Sequence, residues 1–78
     1  MDIKDITPED KKSFAEAYRV YETMLPEEKE KIPQELIDRL IEYGDFDSIK
    51  PFSSKDEAMN YNFSTKGLYL IMYMCTFK

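Results

Sequence analysis

The sequence contains no histidine and one cysteine in 78 residues, and both shortages are informative. Without histidine there is no Ser-His-Asp or Cys-His nucleophile system, no imidazole-ligated zinc and no imidazole general base. With Cys75 alone there is no internal disulfide, so a secreted disulfide scaffold is excluded. Cys75 stands in an apolar run with Lys78 as its one nearby cation, which suits a buried small hydrophobe better than a reactive thiol. A basic excess is missing too: eleven lysines and arginines face sixteen aspartates and glutamates, a net charge of −5. A nucleic-acid binder that neutralises phosphates carries the opposite balance. Nor is there a membrane-length apolar run, since the longest, Gly67 to Phe77, spans eleven residues where roughly 20 are needed. The charged start Met1-Asp2-Ile3-Lys4-Asp5 lacks the apolar stretch of a signal peptide, and a cytoplasmic location is expected. Internal repeats, low-complexity tracts and a dividing linker are likewise missing.

What is present is enough for one core. Apolar residues make up 42 % of the chain and include eleven Phe and Tyr, too many for a disordered polymer. A chain this short buries only about 60 % of its unfolded surface. Below about 80 residues, a core contributes about 3 to 5 kcal/mol and is usually supported by a disulfide, a metal or a partner subunit. One domain over residues 1–78 is expected.

Helix signals punctuate the chain. Thr7 is a good N-cap, Pro8 fits the first helical position, and Glu9 and Asp10 complement the positive end of the dipole. Phe14, Ala17, Tyr18, Tyr21, Met24 and Leu25 recur at spacings of three and four, while Lys11, Lys12, Glu16, Arg19 and Glu22 fall outside that stripe. The helix should run to about Met24, where Leu25-Pro26 closes it. One further turn over residues 26–31 can precede a second helix with Pro33 at its first position. Ile32, Leu36, Ile37, Leu40 and Ile41 supply its apolar face, and Gly44 is expected in the left-handed conformation that ends it. So short a link predicts an antiparallel hairpin from Pro8 to Tyr43.

Asp45 to Phe63 breaks the periodicity and reads as an ordered aromatic connector over the core, with Ser54 and Glu57 at capping-box spacing around a short turn, Lys55 to Met59. Ser64 or Thr65 then caps an apolar segment rich in Leu and Met. A helix is favoured over a buried strand because no second strand is available to pair with it. A helix apolar all round is either central or carries an interface. The fold class is therefore all-α, a small bundle of three to four helices.

Candidate chemistry is sparse. Asp45-Phe46-Asp47-Ser48 opens like a calcium loop, but Ile49 and Lys50 stand where an oxygen ligand and a glycine are required. No pair of carboxylates is singled out for acid-base work. Hence no catalytic residue, metal ligand or cofactor is expected. Residues 22–47 hold nine acids and three bases, against seven acids and eight bases elsewhere, so the negative excess lies in that stretch. Glu35, Asp38 and Glu42 share one helical face, either a solvated surface or an acidic docking face for a basic partner. Tyr61, Phe63, Tyr69, Tyr73 and Phe77 are candidates for an apolar interface, since Tyr and Phe are enriched at such surfaces.

Three stretches carry a family likeness: Tyr18-Arg19-Val20-Tyr21-Glu22-Thr23-Met24-Leu25-Pro26; Lys31-Ile32-Pro33 followed by Leu36-Ile37; and Phe63-Ser64-Thr65-Lys66 leading the apolar C-terminal helix. With Asp47-Ser48-Ile49-Lys50-Pro51-Phe52, they resemble a family of short hypothetical bacterial proteins, over residues 14–74. The resemblance implies a cytoplasmic helical protein and brings no activity, cofactor or functional residue with it. The chain departs from the pattern at Gly67, where a better helix former is expected, and over Ser53 to Asn62.

The function expected is that of a non-catalytic protein–protein interaction or regulatory module. Two alternatives stand beside it: an acidic inhibitor of phage or plasmid type that imitates nucleic acid on a basic enzyme site, and a structural homodimer. A protein partner or a homo-oligomer is expected, and direct nucleic-acid binding and membrane association are not.

Overall fold

The computed structural model describes residues 6–76, and side chains as far as Met74. The expectations about the Cys75 side chain and Phe77 lie outside the described residues. The described chain is all-helical: α1 (Pro8–Thr23), α2 (Pro26–Glu30), α3 (Gln34–Tyr43), α4 (Lys55–Asn60) and α5 (Thr65–Thr76). No strand occurs among these residues.

The start of α1 follows its signals. The Thr7 hydroxyl accepts from the Asp10 amide at 3.1 Å, and the Asp10 carboxylate accepts from the Thr7 amide at 3.2 Å, a reciprocal capping box. Asp10 also receives Lys66 of α5; that hydrogen bond, ahead of the one from the Thr7 amide, holds its carboxyl below the usual aspartate range and raises Lys66 in turn. The hairpin is antiparallel as expected. Asp45, just beyond α3, donates its amide to the Lys11 carbonyl, and Tyr43 lies 6.3 Å from the Phe14 ring. At the other end, the Lys29 ammonium sits 5.4 Å over the Tyr21 ring.

Four local expectations are corrected. Pro33 is the N-cap of α3 and not its first residue. Gly44 caps α3 in extended geometry, with φ −70° and ψ 138°, so handedness does not require glycine. Space does: a β-carbon there would lie 2.5 Å from the Leu40 carbonyl oxygen and 2.8 Å from the Phe46 ring. Leu25 leaves the core stripe and is exposed, because α1 ends at Thr23 and Leu25 instead opens α2, where its amide donates to Glu28. Ile41, assigned to the core face of α3, is about half exposed.

The central element is α1. Ser13, Phe14, Ala15, Glu16 and Ala17 are all buried, and five successive residues at about 100° each encircle the helix. Three of the five are Ala or Ser, which lets neighbours approach closely. The long helices α3 and α5 pack on α1, as does the short α4. Phe14, Ala17, Ile32, Ile37, Leu40 and Met74 form the shared core, with Leu70 and Ile71 of α5 against it. The largely apolar α5 is thus a flank and not the axis.

The connector is ordered by Arg19, which the periodicity assigns to the solvated face. Its Nε donates to the Ile49 carbonyl at 2.9 Å and its Nη2 to the Phe46 carbonyl at 3.4 Å. The guanidinium lies 4.9 Å over the Phe46 ring, and Nη1 pairs with Glu22 at 2.8 Å. Ile49 is buried beneath this clamp. Ser54 caps α4 by accepting from the Glu57 amide. The Glu57 carboxylate accepts from the Ser53 amide, which holds its carboxyl below the usual range.

Candidate functional site

The position of α5 is fixed by a buried carboxylate. Glu16, on α1, has no exposed surface, although its place outside the apolar stripe predicts a solvated side chain. Its Oε1 accepts from the Ser64 hydroxyl at 2.6 Å and its Oε2 from the Ser64 amide at 3.1 Å. The Gly67 amide donates to the Ser64 hydroxyl at 3.0 Å, and the Ser13 and Ser64 hydroxyls lie 3.1 Å apart. Ser64 is therefore an N-cap accepting from the third residue of its helix. In a capping box, that third residue returns a carboxylate to the cap amide. Gly67 has no side chain, and Glu16 supplies the carboxylate from a different helix. The negative charge also lies at the positive end of the α5 dipole.

This arrangement accounts for a glycine at position 67, where a better helix former is expected. A β-carbon on Gly67 would stand 2.8 Å from Glu16 Oε1 and 3.1 Å from the Ser64 hydroxyl. The glycine is thus the opening through which Glu16 reaches the cap. The small neighbours Ser13, Ala15 and Ala17 were the one trace in the sequence that the helix is enclosed at this point.

With its inner side held by Glu16 and by Leu70, Ile71 and Met74, α5 turns an apolar face outward. Leu68, Tyr69, Met72 and Tyr73 are 47, 68, 62 and 53 % exposed. They form two pairs at four-residue spacing on adjacent rows of the helix. On one side, a half-open groove of about 230 Å³ separates α5 from α4 over the second half of α1. Val20, Met24, Met59, Phe63, Leu68 and Ile71 line it, with Lys55 and Glu28 as its charged members. On the other side, Tyr73 and Leu70 meet Phe14, Leu36, Arg39 and Tyr43 around a second depression of about 360 Å³.

The predicted interface residues separate into two sets. Tyr69 and Tyr73 are on the exposed face of α5. Tyr61 and Phe63 are half-buried and stack with Phe52, at centroid distances of 5.3 Å for Phe52–Tyr61, 6.1 Å for Phe52–Phe63 and 4.7 Å for Tyr61–Phe63. Phe63 nonetheless lines the groove beside Leu68. Leu68, Met72 and Met59, all strongly exposed, were not singled out by the sequence, since each reads equally well as core.

The acidic set lies elsewhere. Glu35, Asp38 and Glu42 are exposed on α3, with Arg39 exposed among them and the Gln34 amide donating to Asp38 at 2.9 Å. Asp45 accepts from the Ser48 hydroxyl at 2.7 Å, which closes a turn of the connector. Among the described residues, no three acidic or cysteine side chains gather in the way a metal ion requires. No helix among them is long and apolar enough to cross a membrane.

Comparison with protein-family models, with curated proteins and with solved structures finds no match. The site therefore has to be read from its own chemistry.

Proposed function

We propose that this protein is a non-catalytic interaction module, a cytoplasmic three-helix bundle with two short connecting helices, that docks on protein through the outer face of α5. One observation carries the reading: four large apolar side chains stand about half or more exposed on a helix whose other side is anchored. Monomeric proteins rarely leave a contiguous apolar patch of more than a few hundred Å² uncovered, and such patches mark interaction surfaces. The neighbouring groove extends the apolar surface with Met59 and Phe63. Its lining brings together methyls, thioethers and rings, which suits a surface for binding rather than for bond breaking.

The test is a photo-reactive amino acid placed at Met72 or, separately, at Asp38, with illumination of intact cells of the native host. The docking reading predicts a discrete protein adduct from position 72 and none from position 38. An adduct from position 38 alone would move the interface to the acidic face of α3 and favour the inhibitor reading. No protein adduct from position 72 would overturn docking through α5.

A further inference from the structure

The groove between α1, α4 and α5 identifies the occupant it suits, and this inference rests on the docking reading above. Two charged side chains line the groove, the cation Lys55 and the anion Glu28. Both are exposed, and no ion pair joins them to each other or to any other described residue. Met59 and Leu68 project from the same rim, 73 and 47 % exposed. One surface thus offers a recess, the knobs to fill such a recess, and one charge of each sign.

We propose that the occupant is a second copy of this chain, bound about a two-fold axis over the groove, with Lys55 of each copy paired to Glu28 of the partner subunit. A two-fold contact is isologous, so a patch that combines knob, recess and both charges satisfies itself twice. Met59 and Leu68 then enter the apolar recess of the partner subunit, and water leaves both surfaces. Charge distribution selects this face for self-contact. The net charge of −5 opposes the approach of two copies, and the excess lies within residues 22–47, of whose charged side chains Glu28 alone lines the groove, where Lys55 matches it. Between Gly67 and Thr76, α5 carries no charge, so copies meeting there avoid like-charge repulsion. A basic protein partner would be drawn instead to Glu35, Asp38 and Glu42. An anionic lipid surface would require a cluster of basic residues, which the groove lacks. A partner subunit is also the support that a chain below about 80 residues commonly uses.

Light scattering and sedimentation on the intact chain test the proposal. The wild type should give a mass of twice 9.3 kDa that dissociates on dilution. Lys55→Glu places two acids opposite each other, and Glu28→Lys places two cations opposite each other. Each single variant should dimerise at least about tenfold more weakly, while an equimolar mixture should recover a dimer containing one copy of each. Both positions are exposed, and circular dichroism of each variant separates loss of the dimer from loss of the fold. A wild type that stays monomeric into the submillimolar range overturns the proposal. So does a mixture no tighter than either variant alone. A monomeric wild type that still gives an adduct with a different protein at position 72 overturns self-association and leaves the docking face standing.

Discussion

Glu16→Ala lowers the free energy of unfolding by about 3 kcal/mol, because it leaves the part-buried Ser64 amide without its acceptor, removes the hydroxyl–carboxylate hydrogen bond and opens a void beside Gly67. For a chain whose core contributes about 3 to 5 kcal/mol, that loss leaves a large unfolded fraction at room temperature. Glu16→Gln is the control. Its amide oxygen can accept from the Ser64 amide while its NH₂ donates to the Ser64 hydroxyl, which turns its own hydrogen toward Ser13. Most of the stability should remain. Urea denaturation followed by circular dichroism reads both variants. Equal midpoints for wild type and Glu16→Ala would show that the buried carboxylate does not hold α5.

The second large effect is a change of sign at Gly67. Alanine is favoured over glycine inside a helix by about 1 kcal/mol, so on propensity alone Gly67→Ala should stabilise α5. The β-carbon would press on Glu16 Oε1 at 2.8 Å, however, and a packed carboxylate has little room to retreat. Gly67→Ala should therefore destabilise the wild type by about 1 to 2 kcal/mol. In the Glu16→Ala background the obstruction is gone, and the same substitution should be neutral or stabilising. A double-mutant cycle thus returns a coupling of about 2 kcal/mol between residues on different helices. Additive effects would mean that Gly67 is not kept for Glu16.

These two residues mark where the sequence was legible and where it was not. Thr7, Pro8, Ser54 and the Leu25-Pro26 break are local signals with local mechanisms, and the helices they predict are present. The hairpin was legible because a short link leaves two amphipathic helices few other arrangements. The polar interior was not. Periodicity sorts residues by hydrophobicity, so it sent Glu16 and Arg19 to the surface, although each serves a backbone that is distant in sequence. Glu16 completes a cap at Ser64, and Arg19 holds the carbonyls of Phe46 and Ile49. Gly44 was placed by conformation when the reason was space. For the candidate site, the sequence showed that α5 had to be either central or an interface. Deciding between these required the burial of Ser13 through Ala17, which gives the central place to α1 and leaves Leu68, Tyr69, Met72 and Tyr73 outside.

The account depends most on that face working as a binding surface and contributing little to the fold. The direct measurement is a comparison of stability and association for the double variant Tyr69→Ser and Met72→Ser. If the face serves docking, the free energy of unfolding measured on dilute monomer stays within about 0.5 kcal/mol of wild type per substitution, while the adduct from a photo-reactive residue at Leu68 is lost. Destabilisation by several kcal/mol with the adduct retained would mean that these side chains belong to the core, and would contradict the account.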